Sequence, residues 1–245
     1  YSEECSKIAV SFSILPPVES ALINTHNSFS FQYGKIEIRA KLPLGEWLVP
    51  ALWLKPKYDS YGPFYSSGRI VMAMARGNGN LECDGRDLSS RTLEAGIMAG
   101  VKETMAKKMV ELKLSEGWHA QFHNFSFTWT SESLSFSVDG GQENYLFKKG
   151  QNVKDVIGFD GPSVPWKNGT HIAPFDKEFY ISLGLFAGGM TDFPDSCTSG
   201  EHPKPWKNKA VKAMANFWQA KDQWFGTWNS EDSALQIDYI KVIAV

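Results

Sequence analysis

Three shortages narrow the class of this 245-residue chain before any motif is considered. Charge of one sign is lacking: 25 Lys and Arg stand against 27 Asp and Glu, a net −2, with no basic run. A chain that tracks phosphates or an anionic bilayer carries such an excess, so no nucleic-acid partner is expected. Long apolar runs are lacking too, and none approaches the roughly 20 residues of a membrane-spanning helix. Cysteine is scarce. Cys5, Cys83 and Cys197 are far apart and have no C-x-x-C spacing, which argues against a zinc site. They are compatible with one disulfide and one free thiol, as in a secreted protein, or with three reduced thiols. Linkers, repeats and low-complexity segments are also missing, so a single domain over residues 1–245 is the expectation. The chain starts at Tyr1 with neither an initiator Met nor an apolar leader, and a processed or trimmed start is expected.

What is present is apolar and aromatic. The composition is 42% hydrophobic and 13% aromatic, enough for a large core with rings to spare for a binding surface. Most of the periodicity is two. Phe29, Phe31 and Tyr33 alternate with polar neighbours, then Ile36, Ile38, Ala40 and Leu42 do so. Phe125, Phe127 and Trp129 followed by Leu134, Phe136 and Val138 read as a hairpin. Leu235, Ile237 and Tyr239 predict a final strand, and Tyr180 to Phe186 a buried one. Over residues 209–223, Val211, Met214, Ala215 and Trp218 fall at helical spacing and predict the inward face of a helix. Long loops rich in Pro, Gly and Trp over residues 55–68 and 158–174 are where function is expected. Asn124-Phe-Ser and Asn168-Gly-Thr are glycosylation acceptor patterns, and Asn168, beside Gly and outside a strand, is the better one. The predicted fold is all-β: a jelly-roll sandwich of two antiparallel sheets with a concave cleft, long loops and one or two short helices.

Several segments occur in a telling order: FQYGKIEIRAKLPLG, ALWLKP, SGRIVMAMARGN, FHNFSFTWT, FSVDG, APFDKEFYISLGLFAGG, FPD, KPW and QIDYIKV. Together they resemble the glucanase-like domain of the insect β-1,3-glucan recognition proteins, also called Gram-negative bacteria-binding proteins, which is similar to the laminarinases of glycoside hydrolase family 16. The resemblance covers nearly the whole chain. Active members carry SGEIDxxES or SGEIDxxEA before RGN. Here Ser67-Gly68 and Arg76-Gly77-Asn78 match the flanks, but the nucleophile position is Arg69, the assisting aspartate position Val71 and the acid/base position Met74.

The spacing i, i+2, i+5 needs one residue more than a regular strand supplies, which predicts a bulge that re-aims the last side chain. The chemistry is another matter. Retaining glycoside hydrolysis needs two carboxyl groups about 5–5.5 Å apart. A guanidinium neither attacks nor serves as a base, and a thioether has no proton to give. No catalytic residue is therefore expected, and rescue by Glu82, Asp84 or Asp87 is discounted because Gly79 and Gly85 place them on a loop.

Candidate ligand-binding residues are Tyr61, Phe64 and Tyr65 as aromatic plates, and Arg76, Asn78 and His123 as the polar groups that the resemblance sets in the cleft. Trp218 and Trp224 complete the set as a groove rim. Trp53, Trp129 and Trp206 are expected in the core. No cofactor is expected, and no metal, although Asp238 sits where some relatives place a calcium ligand. The resemblance implies a secreted, extracellular (haemolymph-like) domain, the C-terminal part of a longer protein with a glucan-binding module ahead of Tyr1. It would bind β-1,3-glucan or another microbial surface polysaccharide in innate immunity and signal to serine-protease cascade components. The alternative is an interaction scaffold with a defunct cleft that serves lipopolysaccharide, lipoteichoic acid or a protease partner. An active β-1,3-glucanase is the remote one.

Overall fold

The computed structural model describes residues 15–101, 104–159 and 165–245, so Cys5 lies outside the described residues. Strands β1 (Leu22–Asn24), β2 (Gly34–Lys41), β3 (Leu48–Pro56) and β4 (Arg69–Met74) come first, followed by a hairpin of β5 (Leu81–Cys83) and β6 (Arg86–Asp87). The long pair β7 (Thr92–Val101) and β8 (Thr104–Lys113) leads into β9 (His123–Trp129), β10 (Leu134–Val138) and β11 (Asn144–Phe147). Then come β12 (Phe179–Ala187), β13 (Thr198–Ser199), β14 (His202–Pro203) and β15 (Gln236–Ile243). Helices are short: α1 (Val153–Val156), α2 (Ala213–Gln219) and α3 (Lys221–Trp224).

Two large antiparallel sheets face each other, in strand order β1-β12-β3-β4-β7-β8 and β11-β10-β9-β2-β15. Alternation explains the sandwich. Ile36, Ile38 and Ala40 of β2 and Phe125, Phe127 and Trp129 of β9 point inward and are fully buried. They meet Leu52 and Leu54 of β3, Leu93, Ala95, Ile97 and Ala99 of β7, and Phe179, Ile181 and Leu183 of β12. Each such large side chain removed from water contributes about 1.5–3 kcal/mol. The Trp129 indole also donates to the Phe175 carbonyl at 2.9 Å, so its one polar atom is satisfied in the core.

A second apolar cluster sits on the outer face of the six-stranded sheet, under the long loops. It holds Trp47, Val49, Val71, Met74, Phe193, Trp206, Phe217 and Trp224 and includes both Cys83 and Cys197. Those cysteines form a disulfide, which ties the β5–β6 hairpin to the loop before β13 across 114 residues. A small third sheet, β14-β13-β5-β6, is built on the same tie.

Four sequence expectations are corrected here. Phe29, Phe31 and Tyr33 form no strand; Phe31 makes an isolated bridge to Phe179, and Tyr33 turns the chain at φ 66°. The predicted helix divides into α2 and α3, and its inward stripe is Ala213, Phe217, Ala220 and Trp224, whereas Val211 is 99% exposed. The aromatic cluster beneath the helix decided its rotation, not the spacing of Val211, Met214, Ala215 and Trp218. In β15 the alternation breaks at a bulge between Ile237 and Tyr239, so Tyr239 turns outward to Glu37 and Asn124. Glu82, Asp84 and Asp87 belong to a tight hairpin, not a loose loop, with Asp84 and Gly85 both at positive φ (52° and 73°), as a two-residue turn of the primed kind requires.

Because the disulfide closes a long loop, replacing Cys83 and Cys197 together by Ala should lower the unfolding free energy by about 2–5 kcal/mol in urea titration.

Candidate functional site

Strand β4 carries the site, and a bulge shapes it. Opposite β7, Val71 pairs with Gly96 and Met74 with Glu94, three steps on one strand against two on the other. The register with β3 slips at the same place, between Leu52–Ala73 and Trp53–Val71. Met72 and Ala73 therefore both face the inner core, and Arg69, Val71 and Met74 all emerge on the outer face. The bulge expected from the i, i+2, i+5 spacing is present.

On that face lies a groove of about 400 Å³ lined by Trp53, Tyr65, Arg69, Val71, Met74 and Arg76. The β7–β8 pair adds Met98, Met105, Lys107 and Met109, the end of β12 adds Phe186, and the turn after it adds Met190 and Asp192. Five of the chain's seven methionines are thus in one place. Gly96 of β7 has no room for a side chain, because the β8 backbone comes so close that a Cβ would lie 2.1 Å from the Lys108 carbonyl oxygen. Arg69 packs on two rings, its guanidinium carbon 4.3 Å from the Trp53 centroid and 4.9 Å from that of Tyr65. Trp53 in turn stacks on Phe186 at 5.5 Å. Trp53 is consequently a groove residue and not the core residue expected, since Leu52 and Leu54 take the inward positions on either side of it.

The other candidates divide sharply. Tyr65 and Arg76 join Arg69, Val71 and Met74 in the groove. Arg76 is nevertheless committed: Nη1 donates to Glu94 at 2.7 Å and Nε to the Asp192 carbonyl at 2.6 Å, both in buried surroundings. Phe64, 75% exposed at φ 57°, faces a neighbouring hollow lined by His26, Lys55, Asp59, Arg69 and Tyr180. Arg69 borders both spaces.

Asn78 is a structural residue. It is fully buried, accepting from the Trp47 amide and donating to the Ser199 hydroxyl, each at 2.9 Å. Gly77 beside it has no room for a side chain, because a Cβ would lie 2.4 Å from the Gly45 carbonyl oxygen. Tyr61 gives its hydroxyl to the buried Asp176 at 2.7 Å, and burial and that carboxylate together push its pKa up. His123 alternates with Phe125 on the inward side of β9, in the opposite sheet, held to Asp139 at 2.7 Å and set edge-on to Trp118. Trp224 is fully buried, stacked on Phe217 at 4.3 Å, whereas Trp218 is exposed on α2 beside Lys221. Trp129 and Trp206 are buried as expected.

The sequence reading missed Met98, Met105, Lys107, Met109, Met190 and Asp192. The period-two run Met105-Lys107-Met109 was a signal for one face of β8, but nothing in it names the groove. Two carboxylates adjoin the site. Burial raises the Asp192 pKa against the pull of Arg76. Burial pushes Glu94 up as well, yet the charges of Arg76 and Lys107 outweigh it, and its pKa is lowered. Glu94 is spoken for.

No family model matches the chain. It is 39% identical over 252 residues to β-1,3-glucan-binding protein 1 of Galleria mellonella, covering 99% of this chain and 48% of that protein. It is 42% identical over 237 residues to Gram-negative bacteria-binding protein 1 of Drosophila melanogaster, covering 94% of this chain and 46% of that one. This chain belongs to the β-1,3-glucan-binding and Gram-negative bacteria-binding protein family. It spans about half the length of these curated relatives. Among solved structures, the catalytic domain of an endo-1,3-β-glucanase (laminarinase) from Thermotoga petrophila is 26% identical with a TM-score of 0.52, over 72% of this chain and 62% of that one. The sandwich of this chain thus has the jelly-roll fold of that laminarinase domain, and Arg69, Val71 and Met74 lie on the groove floor.

The Arg76–Glu94 pair generates a prediction. Arg76→Met strands a buried carboxylate and should cost about 3–5 kcal/mol in chemical denaturation. The folded Glu94 pKa is depressed, so its contribution is complete above the ordinary Glu value of about 4.3 and is lost as acid protonates the folded carboxyl below it. The stability gap between the unsubstituted chain and Glu94→Gln should accordingly narrow on acidification.

Proposed function

We propose that this chain is a pattern-recognition domain that binds β-1,3-glucan or a related microbial surface polysaccharide in the groove on the six-stranded sheet, and does not cut it. The observation that carries this reading is the lining of the groove: Trp53, Tyr65 and Phe186 with a set of thioethers, and Arg69, Val71 and Met74 on its floor. Sugar rings present flat C–H faces that aromatic plates and deformable methionines accommodate, and hydroxyls that polar groups at the edges satisfy. The names of the Galleria and Drosophila relatives support the same ligand class.

Absence of cleavage follows from side-chain chemistry. None of the three floor residues carries a carboxyl. Glu94 is buried and ion-paired, which among the described residues lining the groove leaves Asp192 as a single acid, and both retaining and inverting hydrolysis need two. We extend the proposal to secretion, supported by the Cys83–Cys197 disulfide and by the exposed acceptor Asn168, whereas Asn124 is engaged by Tyr239. In the full-length protein, recognition would be passed to serine-protease cascade components.

Calorimetric titration with laminarin, with reducing ends assayed in the same sample, tests the proposal. Saturable binding without new reducing ends is expected, and Trp53→Ala should weaken it about tenfold or more, as truncation of a central aromatic anchor does. No binding, or sustained release of reducing ends, would overturn it.

A further inference from the structure

The groove carries an electrostatic feature that a neutral glucan does not use. Across five neighbouring strands one row of outward side chains reads Tyr180, Lys55, Arg69, Met98 and Lys107: Tyr180 is opposite Lys55, Arg69 opposite Met98, and Met98 opposite Lys107. Lys55 follows Leu54, which pairs with Ile70, and so sits beside Arg69; the two line one hollow. Lys107 is offset by Glu94 at 3.7 Å. Among the described residues neither Lys55 nor Arg69 has a carboxylate within ion-pair distance; Asp59 shares their hollow without pairing.

Like charges side by side in a sheet are destabilising, and among the described residues no carboxylate pairs with either of them. Burial, and then the charge of Arg69, hold the Lys55 pKa down. The guanidinium of Arg69 has five N–H donors and spends one, on the Tyr65 hydroxyl at 3.4 Å. Its contacts with Trp53 and Tyr65 restrict the plane of the fork, so the remaining donors are presented with little further ordering. A planar fork with a second cation beside it matches an oxyanion, because carboxylate and phosphate oxygens accept two parallel hydrogen bonds from it.

We propose that Arg69 and Lys55 form an oxyanion subsite, so that the groove prefers a polysaccharide carrying anionic substituents over a neutral chain. The proposal rests on the reading that the groove holds a glycan, and it adds the class of substituent. The shared chemistry is an oxyanion on a sugar, whether a uronate carboxylate or a phosphate ester.

The test titrates the chain with three polymers: laminarin, laminarin oxidised at C6 to the uronate, and phosphorylated laminarin, each at low and high salt. At least one anionic form should bind about tenfold more tightly than laminarin at low salt, the scale of one charge-assisted hydrogen bond, and lose that advantage at high salt. An advantage for the uronate alone identifies a carboxylate site, and one for the phosphorylated polymer alone a phosphate site. Arg69→Gln should bring anionic and neutral polymers level, and Lys55→Gln should narrow the gap, which keeps the test intact should Arg69→Gln fail to fold. Lys212→Gln, on the exposed turn before α2, should leave the preference unchanged.

Equal binding of neutral and anionic polymers overturns this inference and leaves the glycan reading standing. Failure of all three to bind overturns both. Loss of the preference in Lys212→Gln as large as in Arg69→Gln would mean diffuse surface attraction, and would also overturn the subsite.

Discussion

One extra residue in β4 couples the core of this molecule to its groove. In a regular strand Arg69, Val71 and Ala73 would share a face. The bulge instead sends Met72 and Ala73 together into the sandwich and brings Met74 out beside Val71. Everything C-terminal to it inherits the change of phase. Arg76 comes to the outer face, where Glu94 of β7 and the Asp192 carbonyl receive it. Asn78 then reaches the Trp47 amide and Ser199 and ties the turn before β3 to β13. The disulfide ties β5 to the segment just before β13. The same residues paired without a bulge would turn Met74 and Arg76 toward the core and leave a charge among Ile70, Leu93 and Ala95.

Within that frame the floor is basic: Arg69 lies on it, with Lys55 beside it and Lys107 at its far edge. The remaining lining is soft. Met98, Met105, Met109 and Met190 surround Met74, and unbranched thioethers adapt to an irregular surface at low cost. Such a lining suits a ligand that varies along its length, as a polysaccharide of uneven linkage and substitution does. The stacked parts of the lining are the Trp53–Phe186 pair and the Arg69 guanidinium packed on Trp53 and Tyr65.

Much of this could be read from the chain. The inward alternation of Ile36, Ile38 and Ala40, the hairpin from Phe125 to Val138, and the bulge implied by the spacing of residues 69, 71 and 74 all appear where the pattern put them. Positions failed where residue type was taken for location. Asn78 and His123 are polar and lie in motifs, but a buried polar side chain between loops or strands satisfies the backbone as readily as it satisfies a ligand. Trp53 and Trp224 exchanged their expected roles because a Trp is large enough to be mostly buried in either setting. The orientation of α2 depended on which aromatic cluster lay beneath it, and Phe217 and Trp224 form that cluster only once the chain is folded. The groove methionines come from β4, β7, β8 and the turn after β12, and Met74 and Met190 are 116 residues apart, so no local periodicity joins them.

The methionines also offer the most direct measurement. With methyl-labelled methionine, a nuclear magnetic resonance titration with laminarin oligosaccharides reports on five side chains of the groove at once. The signals of Met74, Met98, Met105, Met109 and Met190 are predicted to move together with a single affinity, while Met72 in the sandwich core and Met214 on α2 stay in place. Shifts at Met214 with the five groove signals unmoved would place the sugar elsewhere and contradict the account.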